Sequence, residues 1–265
     1  MIDGGKVDIL GIGIDVVDYE AAVHRIITAA HDQRAYGVSA LAVHGVMTGA
    51  DDPEHAARLN QLDLVTPDGQ PVRWAMNLLH GAGLRDRVYG PKLTLLVCQA
   101  AAHDGLPVYF YGSNDEVLAH LRDRLPTLAP GIQIAGMRPS KFGTATPDEL
   151  DVIADEIRAT GARICMVGLG CPRQEVFAYE NAKRLGMPLL AVGAAFDYHA
   201  GLQSEPPAFM QKWGLQWLYR LGQDPKRLWR RYIILNPRYA WGIAKQRAGR
   251  GRRVPAATPP HVGWA

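Results

Sequence analysis

Three observations predict an α/β protein built on a Rossmann-like parallel sheet with helices on both faces, plus a helical, basic carboxyl-terminal appendage. Short apolar runs alternate with longer segments of helical period along most of the chain, which is the signature of βαβ units. Glycines gather where those runs end, at Tyr111-Gly112-Ser113, Gly168-Leu169-Gly170-Cys171-Pro172 and Gly193-Ala194-Ala195. From Glu205 onward the pattern changes to one rich in Trp and Arg.

Taken in order, residues 7–17 read as one or two short strands broken by glycine. Asp18 caps a helix whose apolar face holds Ala21, Ala22, Ile26 and Ile27. Val38 to Val43 is the next strand, His55 to Leu62 a helix, and Asp63 to Thr66 a strand leading into Asp68. Val72 to Leu79 continues as helix until Gly81-Ala82-Gly83 ends it. The alternation then becomes regular: helix Leu93 to His103, strand Val108 to Tyr111, helix Asp115 to Leu125, strand Ile132 to Ala135. Helix Pro147 to Thr160, strand Ile164 to Val167, helix Gln174 to Leu185 and strand Leu189 to Val192 complete it. In the appendage, Asp224-Pro225 opens a new helix, with Asp as N-cap and Pro at its first position. The division expected is a Rossmann-like body over 1–204, a helical, basic, Trp-rich appendage over 205–246 and a disordered Arg-, Gly- and Pro-rich tail over 247–265.

The bulk numbers narrow the partners. At 265 residues and 48% hydrophobic content the chain can bury a large core. Its three cysteines form no CxxC pair, which argues against a disulfide framework and for a reducing compartment. The first residues lack the order of a signal peptide, and the most apolar stretch, Met187 to Phe196, is too short to cross a bilayer. The net charge of +3 conceals an asymmetry: the segment from Glu205 carries +10 and the preceding residues −7, and five of six tryptophans lie in the basic segment. A basic, Trp-rich end points to an anionic partner, such as a membrane surface or a phosphorylated lipid. Nothing in it resembles a nucleic-acid recognition module.

Asp68 ends an apolar run, Gly69 turns the chain, and a helical segment follows at once. At the carboxyl end of a parallel strand such a carboxylate either takes a proton from a reacting hydroxyl or caps the next helix. The glycine clusters at the same sheet edge favour a nucleotide or other diphosphate ligand. With neither GxGxxG after a strand nor GxxxxGK[ST] anywhere, an NAD dehydrogenase and a P-loop NTPase are both disfavoured. No metal-ligand spacing is visible, so neither metal nor cofactor is expected.

Six ordered motifs resemble the WecG/TagA/CpsF family of bacterial glycosyltransferases (glycosyltransferase family 26). They are Asp63-Leu64-Val65-Thr66-Pro67-Asp68-Gly69, Arg87-Val88-Tyr89-Gly90, Phe110-Tyr111-Gly112, Gly168-Leu169-Gly170-Cys171-Pro172-Arg173-Gln174-Glu175, Val192-Gly193-Ala194-Ala195-Phe196-Asp197, and the appendage from Met210 to Arg220 with Pro225 to Arg238. The resemblance implies a cytoplasmic enzyme, peripheral at the inner membrane face. It would move a hexose or N-acetylhexosamine from a UDP-sugar to a polyprenyl-diphosphate-linked sugar, with inversion, in cell-surface polysaccharide or teichoic-acid-like linkage synthesis. It implies Asp68 as general base and Gln174 as the second catalytic residue. Gly69, Gly90, Tyr111, Gly112, Gly170, Pro172 and Asp197 would bind substrate, with Arg220, Arg227 and Arg230 on the lipid diphosphate. Two positions depart from the family pattern: Ala40-Leu41-Ala42 stands where Thr-x-Asn is usual, and Gly90-Pro91-Lys92 where G-x-D is common. The residues leave open a non-catalytic UDP-sugar-binding homologue, and room for a homo-oligomer.

Overall fold

A computed structural model describes residues 1–140, 146–207, 209–210 and 213–250, with the backbone alone for Pro147, Arg227, Arg230 and Arg231. Its centre is a six-stranded, wholly parallel sheet of β3 (Tyr36–Leu41), β4 (Leu64–Pro67), β5 (Val108–Gly112), β6 (Ile134–Arg138), β7 (Ile164–Gly168) and β8 (Pro188–Ala191). The spatial order is β4-β3-β8-β7-β5-β6. Because every strand runs the same way, all six carboxyl ends open on one edge, where ligands of such sheets bind.

The strands alternate between two cores. Tyr109, Tyr111, Cys165 and Val167 face one of them, and Val108, Phe110, Ile164 and Met166 face the other. The first core is covered by α3 (Pro53–Gln61), α7 (Pro147–Ala159) and α8 (Arg173–Leu185). The second is covered by α1 (Tyr19–His31), α5 (Gly90–His103) and α6 (Asp115–Leu128). Burial on both faces explains why most strand residues are apolar; β6, at the edge, is only partly buried and ends in Arg138.

Residues ahead of the sheet form an antiparallel hairpin, β1 (Asp3–Ile9) and β2 (Ile12–Val17), joined at Leu10 and Gly11 with φ of 55° and 91°. Positive φ at both turn residues suits the right-handed twist of the ribbon. The hairpin packs beside β4, where Asp15 accepts the Val65 N–H at 2.8 Å and Arg25 at 3.0 Å. Read from sequence, Asp15 is a turn or solvent residue; in the fold it is buried and covers the edge strand.

Helix α2 (Val43–Asp51) is absent from the sequence expectation, which continues the strand to Val43. Its valines and glycines are weak helix formers, but the glycines permit close packing. A Cβ on Gly49 would meet Ile12 and Leu59 at 2.7 and 2.8 Å. Tertiary contact, not propensity, holds this helix. Further helices are α4 (Gln70–His80), the short α9 (Ala195–His199), α10 (Gln216–Gln223) and α11 (Pro225–Arg247). Helix α11 packs on α2 and α4 and buries Leu228, Tyr239 and Ile243.

Candidate active site at the strand ends

The carboxyl ends of β3, β4, β5, β7 and β8 converge on a cleft of about 1560 Å³, counting its open mouth, lined among others by Ala40, Asp68, Ser113, Gly170, Gln174, Gly193 and Asp197. A second cavity of about 780 Å³, likewise counting its open mouth, lies beside it, walled by Gln70, Arg87, Gln216, Trp217, Tyr232 and Asn236 from α4, the loop before α5, α10 and α11. Five residues border both: Ala42, His44, Asp68, Tyr89 and Arg220. Asp68 therefore stands where the two spaces meet.

Backbone bonds fix Asp68. Its N–H donates to Leu41 O at 3.2 Å, and its Oδ1 accepts the Gly90 N–H at 3.1 Å. The carboxylate does not cap α4, whose amino end has no side-chain cap. Burial raises its pKa above the ordinary aspartate value, against the opposing fields of Arg87 and Arg220. Arg87 is buried, stacks at 4.4 Å over the Tyr89 ring and hydrogen-bonds Gln216. Arg220 lies over the Tyr198 ring at 6.0 Å. Its Nε, Gln70 Oε1 and Gln216 Nε2 are buried without a hydrogen-bond partner. Buried polar atoms left this way are costly, and three of them on one cavity wall suit a polar ligand.

The helices add a second source of positive potential. Away from the cleft, α1, α3 and α7 begin with side-chain caps from Asp18, Asp52 and Thr146. Helices α2, α4 and α8 begin beside the cleft or the second cavity, near Ala42, Gly69 and Arg173, without a side-chain cap, whereas Asp68 takes the first N–H of α5 at Gly90 and Asn114 caps α6 at the cleft. Open amino ends gathered around one space favour an anion, phosphate above all. Ala42 already has the extended backbone of an N-cap, φ −90° and ψ 177°. Ala42→Asn is expected to cap α2 and stabilise the fold by about 1 kcal/mol, a rise of roughly 2–4 °C in Tm by thermal denaturation.

The expected site residues separate into groups. Asp68, Gln174, Gly170, Asp197 and Arg220 line the cleft, and Gly69 lines the second cavity. Gln174 ties the loop after β7: its Oε1 accepts the Gly170 N–H at 3.1 Å, and its Nε2 donates to Glu175 at 2.9 Å. Gly90 acts through its bond to Asp68. Tyr111 is a correction: strand parity turns it into the core, where it packs on Phe177 at 4.8 Å, not into the cleft. Gly112 and Pro172 line neither cavity. Gly112, at φ +114°, lies where a Cβ would fall 2.7 Å from the Gly168 backbone, so it serves strand packing. The side chains of Arg227 and Arg230 lie outside the described residues, as does the tail from 251. Lys92 rests on the Tyr19 ring at 4.6 Å and lines neither cavity. Ala40 and Ala42 both line the cleft. Arg87, Tyr89, Gln216 and Trp217 are site residues that sequence reasoning does not single out; Arg87 and Tyr89 lie in a motif read only for its glycine.

Among the described residues, one group could hold a metal ion: His55, Cys171 and Glu175, below the loop after β7. Burial lowers the His55 pKa to about 4, leaving the ring neutral.

Residues 7–253 match the family model described as the glycosyl transferase WecG/TagA/CpsF family. The chain is also 30% identical over 195 residues, 73% of each chain, to N-acetylglucosaminyldiphosphoundecaprenol N-acetyl-beta-D-mannosaminyltransferase of Bacillus spizizenii.

Proposed function

Because this chain belongs to the WecG/TagA/CpsF family of glycosyl transferases, we propose that it moves a hexose or N-acetylhexosamine from a UDP-sugar to a polyprenyl-diphosphate-linked sugar, with inversion, in cell-surface polysaccharide synthesis. The observation that carries this reading is the position of Asp68 on the border of both cavities. The nucleotide-sugar fits the cleft at the strand ends, and the acceptor's diphosphate fits the cavity walled by α10 and α11. The acceptor hydroxyl then meets the anomeric carbon at Asp68.

In that arrangement Asp68 takes the hydroxyl proton as the oxygen attacks the anomeric carbon from the face opposite the departing UDP. The uncapped amino ends of α2 and α8 stabilise the charge that grows on the diphosphate, and Gln174 holds the Gly170 loop against it. Arg220 and Arg87 meet the acceptor diphosphate, for which the planar guanidinium fork is suited. The relative's name specifies a β-D-mannosaminyl product, which an inverting transfer from an α-linked donor gives. N-acetylmannosamine is accordingly the first donor sugar to test.

The long acceptor tail brings the enzyme to the cytoplasmic membrane face. No helix among the described residues is long and apolar enough to cross a membrane, so docking falls to the surface. Phe209, Trp213, Ile233 and Trp241 are each at least 60% exposed, all in the basic appendage. Replacing Trp213 and Trp241 together with alanine is expected to lower affinity for anionic liposomes by about tenfold or more, since burying one large apolar side chain is worth roughly 1.5–3 kcal/mol. Co-sedimentation at fixed salt measures it. These point changes are a cleaner test than deletion from residue 206, which would uncover the core under Leu228 and Tyr239.

A panel of UDP-sugars presented with a synthetic N-acetylglucosaminyl-diphospholipid tests the whole reading. One donor is expected to yield a disaccharide-lipid by mass spectrometry. UDP binding without turnover for any donor would favour the non-catalytic homologue.

A further inference from the structure

The first turn of α8 and the loop before it sit on α3, and the contact holds three residues whose chemistry the transfer does not use. His55 projects from α3, Cys171 from the loop after β7, and Glu175 from α8. One ligand atom from each lies within 4.8 Å of the other two. His55 is 2% and Glu175 1% exposed. Neither ring nitrogen of His55 has a hydrogen-bond partner. A buried imidazole with both nitrogens unpaired is a costly arrangement that asks for a ligand. Glu175 Oε1 is already held by Ser39 Oγ at 3.2 Å and Gln174 Nε2 at 2.9 Å, so the carboxylate is oriented by its neighbours, as metal-binding carboxylates are.

We infer that His55, Cys171 and Glu175 form a binding site for one borderline-soft divalent ion of the zinc type, tying α3 to the β7–α8 loop. Mixed nitrogen, sulfur and oxygen donors are the set such ions prefer. Zinc bonds of about 2.0–2.3 Å set tetrahedral ligands roughly 3.5 Å apart, so atoms within 4.8 Å of one another need to close by about 1.3 Å at most. Cys171 and Glu175 also line the cleft, which gives water access to a fourth position. The Cys171 thiol, which bonds Glu175, would lose its proton to solvent on binding the ion. An ion here would brace the loop that carries Gly170 and Gln174, so its role is to hold the donor cleft in shape. The inference stands independently of which donor and acceptor the enzyme uses.

Cobalt(II) is the probe. The full chain, stripped with chelator and titrated with Co²⁺, is expected to take up one equivalent and to show a thiolate-to-cobalt charge-transfer band that Zn²⁺ displaces. Cys171→Ala is expected to abolish the band. His55→Leu, an apolar replacement of similar bulk, is expected to weaken Co²⁺ binding by about 100-fold or more, since loss of outer-shell partners alone costs 10–100-fold. Absence of stoichiometric uptake, or a titration unchanged by both substitutions, would overturn the site. Circular dichroism establishes that each variant is folded; Cys171, only partly buried, carries the test if His55→Leu does not fold.

Discussion

Replacing Asp68 with asparagine is expected to lower kcat by about 100- to 10,000-fold, the usual worth of a positioned base, while leaving UDP binding intact and raising thermal stability at neutral pH. The two effects share one cause. Burial lifts the Asp68 pKa despite Arg87 and Arg220, so the folded protein holds this proton more tightly than the unfolded chain does. Between the ordinary aspartate value of about 3.9 and the raised folded value, the folded state binds more protons, and the stability contribution of Asp68 falls as pH rises. The penalty is complete once the pH exceeds the raised folded value. Asparagine is a neutral isostere and removes it, so Tm is expected to rise, by about 2–4 °C for each kcal/mol gained in a domain of this size. Activity runs the opposite way: a protonated Asp68 cannot accept a proton, so kcat/KM falls as pH drops through the raised value. The acid limb is expected above the ordinary carboxylate range. An Asp68→Asn protein with undiminished kcat would remove Asp68 from the chemistry.

Arg220→Ala is expected to reduce kcat/KM for the lipid-linked acceptor by about 100- to 1000-fold, the scale for loss of one preorganised charge-stabilising donor. Arg220 borders both cavities, its Nε is unpaired, and its field lowers the Asp68 pKa. Its loss is therefore expected to move the acid limb of the pH profile upward as well. A structural role alone would leave that limb in place. Arg220→Lys keeps the charge and is expected to restore the limb, but to recover the acceptor only in part, because an ammonium lacks the bidentate fork. Steady-state kinetics across pH, with donor saturating, separates these outcomes.

Much of this site is legible in the sequence, for reasons that differ from residue to residue. Most parallel strands are short and apolar, and several exits carry glycine, so their succession along the chain and the position of Asp68 at a strand exit can be read directly, while their spatial order belongs to the fold. Tyr111 misleads because it adjoins Gly112 at a strand exit; the alternation that sends Tyr109 and Tyr111 to one core is a property of register. Helix α2 is invisible because Gly45 and Gly49 lower its propensity while making its packing possible. The second cavity draws on α4, the Arg87 loop, α10 and α11, segments far apart in the chain that only the fold brings together. Arg87 is half legible: its motif is apparent, but its stacking on Tyr89 and its closeness to Asp68 are tertiary facts. The same holds for His55, which nothing in sequence spacing links to Cys171 and Glu175.

The central claim is that one base, standing between a donor cleft and an acceptor cavity, carries out a single displacement. The anomeric configuration of the product tests it most directly. With an α-linked UDP-sugar and a lipid-diphosphate acceptor, the one-bond carbon–proton coupling at the new anomeric centre is expected to report a β linkage. An α linkage would mean retention, which a lone Asp68 acting as base cannot produce, and would contradict the account.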